Sequence, residues 1–235
     1  TFHFPVPTQK VEHVIVNLCP TEPWALPNWV ILRHKTTAFL SVLKEIKNSH
    51  FSSARFYIAI NEKEDRTVAD AKNFACNEDW MSIFPLYAKY PQDDPVILTK
   101  VILGMDVHFG QDTESLGVLI LDAQTVSSIY ESCILRKNVN SRFIVLSGTG
   151  LKENEILNVQ LGTSIGKILK NKSKEVGRYR VFINGPLRGQ EITDLSQKTD
   201  WSINHIVVLE EKDRKVILPM IKPDELVLTT NVLGE

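Results

Sequence analysis

Leu116–Leu135 reads LGVLILDAQTVSSIYESCIL. Leu116–Asp122 is a continuous apolar run closed by an aspartate, which predicts a strand buried on both faces. Ala123–Leu135 then predicts a helix. A buried-type strand running straight into a helix is half of a βαβ unit.

The same alternation extends outward. Upstream, Val11–Asn17 (VEHVIVN), Ala54–Ile60 (ARFYIAI) and Trp80–Ala88 predict strands. Trp29–Lys47, Asp65–Cys76 and Asp94–Gly104 predict helices, the last closed by Gly104. Leu18–Asn28 carries Pro20, Pro23 and Pro27, so it is a loop. The fold class is α/β: a doubly wound, mainly parallel sheet. Past a boundary near Asn138–Ser141 the rhythm turns to short strands, Arg142–Ser147, Ile156–Leu161 and Tyr179–Ile183, around one short helix, Ser164–Lys170. This predicts a small β-grasp-like domain. His205–Glu210 and Lys215–Leu218 read as a hairpin. The expected organisation is 1–140, 141–200, and a β-rich tail over 201–235.

With 235 residues, of which 43% are hydrophobic, the chain can bury a core without staples. Its 27 basic and 28 acidic residues give a net charge of −1, which argues against a nucleic-acid partner. Cys19, Cys76 and Cys133 stand 57 residues apart from one another in turn. That spacing excludes a local cysteine set for zinc or an iron–sulfur cluster and suits reduced thiols in the cytosol. No apolar run reaches the roughly 18 residues that span a bilayer. The chain opens on Thr1 with no signal peptide, and is read as part of a longer protein. The six histidines lack metal-ligand spacing, and no P-loop, Gly-x-Ser-x-Gly or HExxH occurs.

Ligands of doubly wound sheets sit beyond the carboxyl ends of the strands. That rule selects Asn17–Pro23, Asn61–Lys63, Lys89–Gln92 and Asp122–Thr125. Asn17 is placed to bond a ring edge and Glu22 to accept from a ribose hydroxyl; the alternative is a loop shaped by prolines. Lys89 can meet a phosphate and Tyr90 stack on a ring, or Pro91 ends the strand while Asp93 or Asp94 caps the next helix. Either aspartate would repel a phosphate. Phe4–Lys10 lacks the glycines of a phosphate loop and reads as an extended arm. Ile183–Gly189, INGPLRG, reads as a tight turn.

Taken in order, FPVPTQK (Phe4–Lys10), VEHVIVN with TEPW (Thr21–Trp24), AKYPQDDPVILTKVILGMDV (Ala88–Val107), GVLILDAQTVSSIY (Gly117–Tyr130), RFIVLSGTGLKENEILNVQLGTSIGKIL (Arg142–Leu169) and INGPLRG resemble the C subunit of the Rnf electron-transport complex. That family is related to the flavin- and NADH-binding subunit of respiratory complex I. The resemblance implies FMN and NADH as cofactors, and Asn17, Glu22, Lys89, Tyr90, Gln92 and Thr125 as their contacts. It also implies a soluble-ligand-binding β-grasp (SLBB-like) domain, and partners among the other subunits of a membrane complex, with a cytoplasmic location at the periphery of the inner membrane. The chain departs from the family at its loops. The family's Gly-Gly-Ala-Gly-Phe-Pro-Thr corresponds to Thr1–Thr8, where every glycine is gone. Pro20 replaces the first acidic residue of the second loop, Asp93 replaces the glycine after Tyr-Pro-Gln, and the C-terminal cysteine clusters are absent. The expectation is a kept scaffold without tightly bound flavin or iron–sulfur cluster. The chain is then a structural or binding component of a redox complex. Two alternatives stand beside it: a residual NADH- and FMN-dependent oxidoreductase domain, and an unrelated small-ligand binder.

Overall fold

β1 (His13–Leu18), β2 (Arg55–Asn61), β3 (Met81–Leu86) and β4 (Val118–Asp122) form one sheet in the order β3-β2-β1-β4. All its pairings are parallel. In this computed structural model the described residues are 10–25, 36–63, 65–87, 89–174, 178–211 and 226–233. The chain divides into two compact units, Thr1–Thr21 with Pro27–Asn138, and Glu22–Leu26 with Val139–Glu235.

In the first unit the strands are apolar on both faces because helices cover both. Val14, Val16, Phe56, Ile58, Leu119 and Leu121 pack in one cluster with α1 (Thr36–His50), α2 (Asp65–Ala75) and α4 (Ala123–Ile129). Ile15, Ala59 and Val118 pack on the other face with Leu98 and Ile102 of α3 (Pro95–Leu103). This is the doubly wound α/β arrangement. The chain steps from β1 to β2 to β3 in one direction, and β4 returns to the opposite side of β1. The strand order therefore reverses between β1 and β4, the switch point where such sheets leave a crevice.

Two helices of this unit differ from the sequence expectation. The helix read as Ala123–Leu135 is α-helical only to Ile129; Tyr130–Ile134 widens into a π-turn, with the Leu135 amide donating to Tyr130 O at 3.0 Å. The helix read from Trp29 is described only from Thr36, and residues 29–35 lie outside the described residues.

The second unit holds β5 (Ser141–Ser147), β6 (Asn154–Gln160), α5 (Ile165–Leu169), β7 (Tyr179–Ile183), β8 (Gln190–Ile192), β9 (His205–Glu210) and β10 (Leu226–Leu233), in the sheet order β10-β6-β5-β9-β7-β8. A β5–β6 hairpin, the short helix, and a later strand laid parallel beside β5 make the β-grasp pattern. Ile144, Leu146, Leu157, Ile206 and Val208 pack with Ile165 and Ile168 of α5. At the start of the 201–235 segment, β9 lies inside the sheet, parallel to β5 and antiparallel to β7. Its buried HIVVLE sequence is that of an interior strand. The expected hairpin partner Lys215–Leu218 lies outside the described residues. β8 and the parallel β10–β6 pair were not foreseen.

Candidate functional site

At the switch point Asn17 and Asp122 are register partners at the carboxyl ends of β1 and β4. Asp122 caps α4, its Oδ1 accepting from the Thr125 amide at 2.6 Å. Thr125 is thus a capping partner in the first turn of α4. Asn17 folds back on its own loop: its Oδ1 accepts from the Cys19 amide at 3.0 Å, closing an Asx-turn. Its Nδ2 donates to the backbone oxygen of Asp93 at 3.4 Å.

The adjacent aspartates Asp93 and Asp94 take different tasks. Asp94 caps α3, accepting from the Val96 and Ile97 amides at 2.9 and 3.4 Å. Asp93 instead clamps the β1 loop: the buried Thr21 donates its amide to Asp93 Oδ2 at 3.1 Å and its hydroxyl to Asp93 Oδ1. The amide and hydroxyl of Thr21 are therefore held by a carboxylate of the same chain.

Two carboxylates lie close enough to Cys19 to act on its thiol. Burial pushes the Cys19 thiol up to about 12, with the charges of Asp93 and Glu62 adding to the rise. No glycine precedes Gly104 in the chain. The described residues at this edge do not fit a flavin phosphate, which wants converging free backbone N–H groups and positive potential. Phe4–Gln9 lie outside the described residues.

The remaining sequence candidates of this unit are only partly gathered here. Lys89 and Tyr90 are exposed, Tyr90 by 39%. Gln92 lies in the same turn as Asp93, its amide donating to Lys89 O at 2.8 Å, and its side-chain Nε2 is buried without a hydrogen-bond partner.

Glu22 belongs to the second unit. It is only 4% exposed, and its carboxylate is engaged: Oε1 accepts from the Leu187 and Arg188 amides at 2.6 and 3.3 Å, and Oε2 from Arg188 Nε at 3.3 Å. The turn INGPLRG, read from sequence as structural, is the partner of a residue read as a ligand contact. Sequence reasoning missed Thr21, Arg188 and the clamping role of Asp93. Pairs this far apart leave no local signal, although the two glycines around Pro186 marked the turn.

Among the described residues no group of three or more His, Cys, Asp or Glu side chains is arranged to hold a metal ion, and no helix is long and apolar enough to cross a membrane. Residues 3–131 match the family described as the Nuo51 FMN-binding domain. The chain is 23% identical over 197 residues to the C subunit of the ion-translocating oxidoreductase complex of Haemophilus influenzae, covering 83% of this chain and 24% of that protein. It is 24% identical over 218 residues to the C subunit of the Na(+)-translocating ferredoxin:NAD(+) oxidoreductase complex of Acetobacterium woodii, covering 91% of this chain and 48% of that one. The chain thus spans less than half the length of these relatives. Among solved structures it is similar in fold to a chain of an NAD+-reducing [NiFe]-hydrogenase in the H2-reduced state, with a TM-score of 0.67, 12% identity, and coverage of 87% of this chain and 41% of that one. The match over residues 3–131, carried by a parallel sheet with its switch point between β1 and β4, makes this chain a member of the Nuo51 FMN-binding domain family.

Proposed function

We propose that this chain is a structural or binding component of a membrane-associated electron-transport complex of the Rnf type, and not a flavoenzyme on its own. The observation that carries this reading is the Asp93 clamp: Thr21, at the edge where a doubly wound sheet receives its ligand, spends its amide and hydroxyl on a carboxylate of its own chain. Family membership and the likeness to C subunits of ion-translocating complexes support the setting. The partners are then the other subunits of such a complex, and the chain lies peripherally on the cytoplasmic side. The β-grasp strand order supports reading the second unit as that family's SLBB-like domain.

A second reading is favoured by one atom. The buried, unpartnered Nε2 of Gln92 is a donor awaiting an acceptor, as a residual FMN- or NADH-dependent oxidoreductase domain would present. Titration of FMN, followed by quenching of its fluorescence, separates the two. The proposed function expects no saturation up to about 1 mM, where association is worth only about 4 kcal/mol. Micromolar binding that Gln92→Ala abolishes would establish the second reading instead. The setting has its own test: the tagged chain, expressed in its native host, should co-purify from solubilised membranes with flavin- and iron-containing subunits. Recovery from the soluble fraction alone would count against it.

A further inference from the structure

The turn that holds Glu22 is built independently of Glu22. Asn184 and Gly185 take successive left-handed conformations, with φ of 60° and 102°. The Asn184 side chain pins the turn to the segment leading into β9: Nδ2 donates to Ser202 O at 2.8 Å, and Oδ1 accepts from the Asn204 amide at 2.8 Å. Its own amide donates to His205 O at 2.8 Å. At Gly189 a Cβ would collide with the backbone oxygens of Ile183 and Gly185, so the loop closes only with glycine there. The Leu187 and Arg188 amides and the Arg188 guanidinium then converge on one point, and Glu22 fills it. A Cβ at Gly185 would overlap the Glu22 side chain, so Gly185 also leaves the space that the carboxylate enters. Successive N–H groups presented by such a turn form an anion-binding concavity.

We propose that the Asn184–Gly189 turn is a preformed carboxylate-binding site whose resident ligand is the Glu22 side chain, fastening the Glu22–Leu26 segment within the second unit. The proposal goes beyond the functional reading above and holds whether or not the chain binds flavin. Its chemistry is specific. One oxygen takes two amides and the other takes a guanidinium N–H, an arrangement that suits a planar monocarboxylate. Removal of Glu22 leaves the donors in place and opens the site to a small carboxylate from solution.

The test uses the full chain and its Glu22→Ala variant, melted in sodium formate or in sodium chloride at equal ionic strength. In chloride the variant is expected to melt about 5 °C or more below the native chain, because charge-assisted hydrogen bonds to a buried carboxylate are lost. Formate should restore much of that loss saturably in the variant and leave the native chain unmoved. Equal stability of the two chains in chloride, or an equal formate effect on both, overturns the proposal. If Glu22→Ala does not fold in chloride, refolding in formate must recover it, and failure to recover also overturns it. Arg188→Gln removes the guanidinium contact to Glu22 and keeps the Leu187 and Arg188 amides. The Leu187 amide should stay protected from hydrogen exchange in that variant, and loss of its protection contradicts a turn that holds Glu22 through its backbone.

Discussion

Cys19 shows how position decides a residue's chemistry. It follows β1 directly, is buried, and has its thiol pushed from 9.0 to about 12, first by burial and then by Asp93 and Glu62. A thiol that reluctant to ionise is a poor nucleophile. Cys76 and Cys133 are exposed. A thiol-specific reagent at neutral pH should therefore modify Cys76 and Cys133 in the folded chain and reach Cys19 only after unfolding; fast labelling of Cys19 in the native state would contradict its burial. The same shift carries a pH dependence. The folded chain holds this proton more tightly than the unfolded chain, so the contribution to stability is whole below pH 9.0 and is lost as pH rises towards about 12. Comparison of the native chain with Cys19→Ala across that window should show a shallower alkaline loss in the variant. Identical slopes would contradict the raised pKa.

Among the elements, α3 was the most legible from sequence. Asp94 ahead of Pro95, and Gly104 after Leu103, are start and stop signals with a mechanism. Of Asp93 and Asp94, between which the cap was left open, Asp94 accepts from Val96 and Ile97, and Gly104 takes φ 72° while its amide bonds Lys100 O. Asp94→Ala should lower stability by about 1 kcal/mol. Gly104→Ala should cost about 1 kcal/mol as well, through backbone strain alone, since nothing lies within 4 Å of the new Cβ. Denaturant midpoints measure both, and Asp94→Asn, which can still cap, should lie close to the native chain. A neutral Asp94→Ala would remove the capping argument. The end of α4 was illegible for a related reason: Tyr130–Ile134 contains no glycine or proline to announce the π-turn.

At the scale of the whole molecule, strand–helix alternation was enough to foresee the parallel sheet, because parallel neighbours need long crossovers and helices supply them. Strand order was beyond reach, since β1, β2 and β4 read alike as apolar runs and nothing local says that β4 joins β1. The candidate site suffered in the same way. Asn17 and Glu22 were visible as polar residues after a strand, but Asp93 lies 72 residues from Thr21, and Leu187 lies 165 residues from Glu22. What the fold adds, among the described residues, is a set of apolar clusters particular to each unit. Phe56 is fully buried in a cluster drawn from the first unit, with its ring edge-on to Trp80 at 5.2 Å. Ile206 is fully buried in a cluster drawn from the second. Truncation of either leaves a cavity that its surroundings fill only in part, costing about 3–5 kcal/mol for Phe56→Ala and about 2–5 kcal/mol for Ile206→Ala. Substitutions in clusters that share no residue are expected to act independently. Hydrogen exchange should therefore quicken in β1, β2 and β4 for Phe56→Ala and in β5, β6 and β9 for Ile206→Ala, each variant leaving the other set near its native rates. If Phe56→Ala loosened β5 and β9 as much as β2, these two clusters would not be separate sources of stability.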